Sequence, residues 1–272
     1  MKSLSANAMV GGLFVGTFVI AACIGSVWTP YDPMALDMKA RLAGPSTQHL
    51  LGADEFGRDV LSRLMLGASA SGIVSLTTVA IATVLGTALG SISGYLGGWT
   101  DRLLVAVTNA LLAFPGILLA LGLLAIFGAN KYGIVLALGI AYTPSVARIV
   151  RGTVLSLRER EFIDASRISG DSEIYTLLRH ILPNCIAPLT VLTTSMFGWT
   201  LLSESALSFL GLGVPPPAPT WGNMLAAARP YLAQAAWLAI FPGLCISIVL
   251  LGINLLGDAL RDRLDPKMRG MQ

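Results

Sequence analysis

The chain has 272 residues, 54% hydrophobic and only 12% charged, with a formal net charge of +3 and a mean hydropathy of +0.73. Soluble domains carry about 25% charged residues, so this composition excludes an ordinary water-exposed globule. The small positive balance, with no basic tract interleaved with aromatics, argues against a nucleic-acid partner.

Charges are clumped, and none occurs in 3–31, 64–100, 103–130, 132–147, 180–203, 205–228 or 230–257. About 20 apolar helical residues cross roughly 30 Å of hydrocarbon. The expected fold is therefore an all-α membrane protein with six transmembrane helices, drawn at about 9–28, 68–97, 103–127, 133–155, 185–210 and 235–257.

The first run follows Lys2 as a signal peptide would. It is longer than an h-region of about 7–15 residues and shows no A-x-A cleavage pattern at Cys23. It is read as a retained span, with cleavage the alternative. Residues 29–67 then form an external segment opening on Pro30-Tyr31-Asp32-Pro33. Its end, Asp59 to Leu66, has apolar residues on one face and Asp59 four places before Arg63, which fits an interfacial helix.

In the second span Gly86 and Gly90 make a G-x-x-x-G pair that permits close helix approach, with chance in a chain of 29 glycines as the alternative. Pro115, Pro144 and Pro242 fall inside drawn spans, where neighbouring helices satisfy the freed backbone groups. Asn109 and Asn254 are read first as interhelical hydrogen-bond partners. Cys23, Cys185 and Cys245 are dispersed in apolar stretches and read as packing residues. Residues 211–234 form a second external loop, whose Pro215-Pro216-Pro217-Ala218-Pro219 run must be extended.

Orientation follows from Lys and Arg placement. With the N-terminus in the cytoplasm, twelve basic residues fall inside and six outside, which puts both termini in the cytoplasm. The loop 156–184 is then cytoplasmic. Its segment Arg160 to Gly170 is amphipathic through Phe162, Ala165 and Ile168–Ser169. Gly170 sits where a left-handed residue ends a helix. Asp171 or Ser172 caps a second helix, Glu173 to Leu182, which Pro183 separates from the fifth span. Such a hairpin could rest on lipid headgroups. The acids Glu159, Glu161, Asp164, Asp171 and Glu173 offset the arginines, however, and a mixed-charge face suits a protein partner better than an anionic membrane.

Asp164-Ala165-Ser166, then Gly170 and Leu182-Pro183, resembles the Glu-Ala-Ala loop of permease subunits in bacterial binding-protein-dependent ABC importers. Asp164 stands for the usual Glu and Ser166 for the second Ala. Residues 49–63, Leu207 to Pro216, Trp221 to Leu225 and Gly257 to Pro266 are similar to segments of the dipeptide, oligopeptide and nickel permeases, specifically the shorter, C-type subunit. The likeness covers roughly residues 28–268.

This resemblance implies a type I ABC importer permease fold in the bacterial inner membrane, in one transmembrane domain over 1–272. Phe162, Asp164, Ala165, Ser166, Ile168 and Gly170 would form the helix that docks on an ATPase subunit. The implied partners are two ATP-binding subunits, an extracytoplasmic solute-binding protein and a second, homologous permease, within membrane lipid. No cofactor is expected on this chain, with ATP and Mg on the ATPase subunits. Small peptides are the expected cargo, with nickel, a metal chelate or glutathione as alternatives.

No catalytic or metal site is expected. No Lys follows a Gly in a phosphate-binding loop, no H-E-x-x-H occurs, and His49 and His180 are predicted on opposite membrane faces. An ion-coupled secondary transporter is the distant alternative, since such carriers commit ionisable groups to the mid-membrane. The one acid clearly inside a span is Glu204. It is read as lining the outer cavity, with pairing to Arg229 or snorkelling as alternatives. Glu204 and Asn109 are thus the candidates for the translocation pathway.

Overall fold

A computed structural model describes residues 6–264, and among these the chain is helical, with one isolated bridge, Ala53–Asp59, and no sheet. Lys2 and residues 265–272, which enter the charge balance and the C-terminal motif, lie outside the described residues.

The long helices are α1 (Ala6–Gly25), α2 (Val60–Leu96), α5 (Lys131–Arg158), α8 (Leu182–Phe209) and α10 (Trp237–Leu264). Each is long and apolar enough to cross a membrane. Between them lie α3 (Gly98–Leu112), α4 (Gly116–Phe127), α6 (Glu161–Ile168), α7 (Glu173–Thr176) and α9 (Trp221–Ala228).

The drawn span 103–127 is not one helix. It divides into α3 and α4, bent by 96°, which make a sixth span only when counted as a broken pair. Pro115 lies in the break and disfavours helical backbone at Phe114 before it. Pro144, Pro188 and Pro242 instead sit inside continuous helices. The expected interfacial helix at 59–66 is the first part of α2, with Asp59 as its N-cap accepting from the Ser62 amide at 2.8 Å. Asp59 therefore pairs with His49 at 3.0 Å, and Arg63 turns instead to Asp54 at 3.4 Å.

The glycines of α2 decide how the bundle packs. A Cβ on Gly86 would lie 2.4 Å from the Val146 side chain, and one on Gly90 2.5 Å from the Ala147 carbonyl oxygen. The G-x-x-x-G pair is thus a true contact, extended by Gly94 against Val154, and it lays α2 directly on α5. On the other side of the bundle α1 crosses α10, with Gly11 against Gly252.

Two unlike ends result. The cap end gathers the 26–59 segment, α9 and the first turns of α2 and α10, where Trp237 Nε1 donates to the Ala53 carbonyl at 3.4 Å. The foot end gathers α6, α7 and the last turns of α2 and α5.

Candidate functional site

The foot is built from a short helix and a stop. Helix α6 ends in a Schellman motif: the Asp171 amide donates to the Ser166 carbonyl at 3.2 Å and the Gly170 amide to Arg167 at 3.0 Å. Gly170 takes φ +88°, with open space where a Cβ would stand, so backbone conformation alone calls for glycine. Ser172 then caps α7, accepting from the Tyr175 amide at 3.3 Å.

The face of α6 turned to the bundle is not the apolar stripe. It consists of Ile163, fully buried against Val150, Val154 and Ile181, and Ser166. The Ser166 hydroxyl donates to Asp171 Oδ2 at 2.7 Å and lies 3.1 Å from the buried Thr176 hydroxyl. Phe162, Ala165 and Ile168 point outward, Ile168 being 87% exposed. Ile174, Tyr175 and Leu178 continue this uncovered apolar surface.

Pro183 does not separate the second foot helix from the fifth span. A π turn over Leu177–Ile181 feeds straight into α8, the Leu182 amide donating five residues back to Leu177. A widened turn accommodates a residue without an amide donor. Asn184 Nδ2 donates to the His180 carbonyl at 2.6 Å, meeting an acceptor in that turn.

The foot is tied to the bundle by polar bonds. The Tyr95 hydroxyl, at the end of α2, donates to Glu173 Oε2, and Arg158 Nη1 donates to the Gly94 carbonyl at 3.0 Å. Arg167 lies 3.5 Å from Asp164 and 4.0 Å from Glu173.

The six foot residues expected from sequence therefore share one short helix and its stop, but Ser166 faces inward while the other side chains face out. Ile163, Thr176 and Tyr95 were not among them. The Ile163–Ser166 spacing is helical and visible in sequence, whereas nothing local marks Tyr95.

Glu204 has no exposed surface in this chain. It is fully buried, its Oε1 accepts from the Ser208 hydroxyl at 2.7 Å, and its Oε2 makes no hydrogen bond of ordinary length. Nor does it pair with Arg229, whose guanidinium lies 3.5 Å from the Phe209 ring centroid. The packing of α9 explains both. Gly222 brings α9 onto Ser205 and Ser208, Trp221 Nε1 donates to the Leu64 carbonyl at 3.0 Å, and the Trp221 amide donates to Ser71, so that Glu204 is sealed beneath.

Asn109 is exposed on α3, and its Oδ1 accepts from Arg148 Nη2 at 3.1 Å. The two residues border a cavity of about 290 Å³ between α2, α3 and α5.

At the cap end, buried Arg58 binds Asp54 at 2.7 Å and Glu55 at 3.4 Å. Burial, reinforced by the neighbouring Asp54, pushes the Glu55 carboxyl up from its ordinary range, against the opposing pull of its backbone hydrogen bond and of Arg58. Thr220 and Asn223 form a capping box that starts α9. Among the described residues no group of three or more His, Cys, Asp or Glu is placed to hold a metal ion.

A family model described as "Binding-protein-dependent transport system inner membrane component" matches residues 86–270. The dipeptide transport system permease protein DppC of Alkalihalophilus pseudofirmus is 42% identical over 98% of this chain and 89% of its own length. The glutathione transport system permease protein GsiD of Escherichia coli O6:K15:H31 is 42% identical over 97% of this chain and 87% of its own. Among solved structures, a chain of the MetNI methionine ABC transporter in an inward facing conformation superposes with a TM-score of 0.62. It is 17% identical, and the match covers 74% of this chain and 96% of that one.

Proposed function

The chain belongs to the family of binding-protein-dependent transport system inner membrane components, and on that premise we propose that it forms half of the pathway by which small peptides enter the cell. It is a multi-pass inner-membrane permease subunit, and the work of ATP falls to separate ATPase subunits. One of these grips the foot. A solute-binding protein delivers cargo to the cap end, and a second, homologous permease completes the channel.

The observation that carries this reading is the uncovered apolar face of the foot, Phe162, Ala165, Ile168 and Ile174, held on a hairpin closed by a Schellman turn. An apolar face on a mixed-charge helix gains most by burial in a protein groove, and a pair of feet drawn together by ATPase closure would rock the spans. In this orientation the foot and both termini are cytoplasmic, in keeping with the excess of basic residues at that end.

Peptide cargo is supported by relatives named for dipeptide and for glutathione at equal identity. Both cargoes are short peptides with free carboxylates.

The test is Ile168→Glu in the assembled transporter. The variant is expected to reach the membrane at normal yield and to lose copurifying ATPase subunits. Retention of those subunits at the wild-type level would overturn the docking assignment.

A further inference from the structure

Two arginines sit one turn apart on α5, beside the cavity between α2, α3 and α5, and they are treated differently. Arg151 is neutralised by Asp101 through two bonds, Nε to Oδ1 at 2.6 Å and Nη2 to Oδ2 at 2.7 Å. Arg148 has no acidic partner among the described residues; its only side-chain bond is the neutral Asn109. The cavity wall thus holds one uncompensated positive charge.

The rest of the wall sharpens the contrast. Leu89, Leu104, Val105 and Ala147 are apolar, and the Thr108 hydroxyl is spent on the Leu104 carbonyl at 2.8 Å. Ser93 donates to Asp101. The guanidinium of Arg148 therefore keeps most of its five donors for something other than this chain.

A charge in a membrane span is costly, so spans keep charges where water or a counter-charge meets them. Arg148 lies a turn deeper than the Arg151–Asp101 pair and ten residues inside the end of α5. Helix α3 buries none of its residues, so this side of the cavity is uncovered in the single chain.

We propose that Arg148, aimed by Asn109, is a docking point for an anionic oxygen group, the carboxylate of the peptide cargo, as it passes this cavity. The geometry suits the role: a planar fork meets a carboxylate in two parallel bonds, and a cavity of about 290 Å³ has room for a chain terminus. Asn109 is a positioning residue that holds one edge of the fork and leaves another for cargo. A membrane phosphate has the same anionic chemistry and is the rival source.

This inference rests on the reading of the cargo as peptide, and the experiment separates the two. The complete transporter is reconstituted in vesicles, and uptake of a dipeptide is compared with that of its C-terminal amide, for the wild type, Arg148→Gln and Arg148→Lys. Membrane yield and basal ATPase activity check assembly. If the wild type imports neither peptide form, the cargo reading fails and this site with it.

If the wild type imports the free acid, Arg148→Gln is expected to lose about tenfold in its uptake, the scale of one charge-assisted bond, with amide uptake nearly unchanged. Arg148→Lys should recover part of the difference. Equal loss for both forms, or none for either, overturns the inference while leaving the cargo reading standing. The lipid source is tested by repeating the series in phosphatidylcholine with and without phosphatidylglycerol. A defect that follows the anionic lipid and ignores the peptide terminus also overturns it.

Discussion

At the scale of single residues, the foot depends on one backbone conformation and one buried hydroxyl. Gly170 stands at φ +88° with nothing near its missing Cβ, so a substitution there meets strain rather than a clash. A β-branched residue in the left-handed region costs roughly 1–2 kcal/mol, and Asn tolerates that region better. Gly170→Val should therefore loosen the Schellman stop that orients α6, leaving the spans intact. In proteoliposomes the expected outcome is normal insertion, ATPase activity near wild type and less cargo moved per ATP, with Gly170→Asn lying between. Full uptake by Gly170→Val would show that the turn's rigidity is irrelevant to transport.

Much of this was legible in the residues. The Gly stop, the Ser172 cap and the short amphipathic helix all rest on local rules, and local rules are what a sequence displays. What escaped was the inward face. The stripe Phe162, Ala165, Ile168 is exposed, while Ser166, together with Ile163, turns into the bundle. The reason is distant: Thr176 offers the Ser166 hydroxyl a partner, and Ile181 and Val150 offer Ile163 a surface. Glu204 is buried for a similarly distant reason. An acid in a span invites a cavity or a cation, but the contacts that seal it come from α2 and α9, far along the chain.

At the scale of elements, the apolar runs announced the helices because the bilayer admits little else, though α2 begins eight residues before its drawn span and α10 ends seven residues after its own. The exception is the bend between α3 and α4. Four prolines fall within helical hairpins or spans of similar appearance, and only Pro115 breaks its helix, while Pro144, Pro188 and Pro242 do not. Whether neighbours compensate a lost amide is a tertiary matter, so no local rule ranks these prolines. The α2–α5 seam, by contrast, could be read as a close approach once the glycine spacing was noticed. A Cβ at Gly90 would lie 2.5 Å from a backbone oxygen of α5, which cannot swing aside. Gly90→Val is expected to destabilise by about 1–3 kcal/mol or more, since overpacking forces backbone shifts. Gly12→Val on α1, where nothing lies within 4 Å, provides the matched control and should be near neutral. Thermal unfolding in detergent, followed by fluorescence size exclusion, reads the difference; equal melting of the two variants would mean that the seam is not tight in solution.

At the scale of the whole molecule, α2 engages both ends, as α8 does through the π turn at the foot and its contact with α9 at the cap. Its 37 residues extend about 55 Å. Asp59 caps it among the ion pairs of the cap end, the Leu64 carbonyl receives the Trp221 indole, and Tyr95 at its far end holds Glu173 of the foot. Since α2 lies along α5 through three glycines, a push on the foot reaches both helices together. The Tyr95–Glu173 bond is exposed and adds little to stability, because surface polar pairs contribute about 0–1 kcal/mol. Its value lies in fixing the angle of the foot to the lever. Tyr95→Phe removes the hydroxyl and keeps the ring, and Glu173→Gln keeps an acceptor for it. The expected order of cargo moved per ATP is wild type, then Glu173→Gln, then Tyr95→Phe, with all three melting within about 1 kcal/mol of one another. A Tyr95→Phe transporter with an undiminished ratio would mean that force passes through the apolar contact of Ile163 with α5 alone, and Ile163→Ala would then be the variant that uncouples.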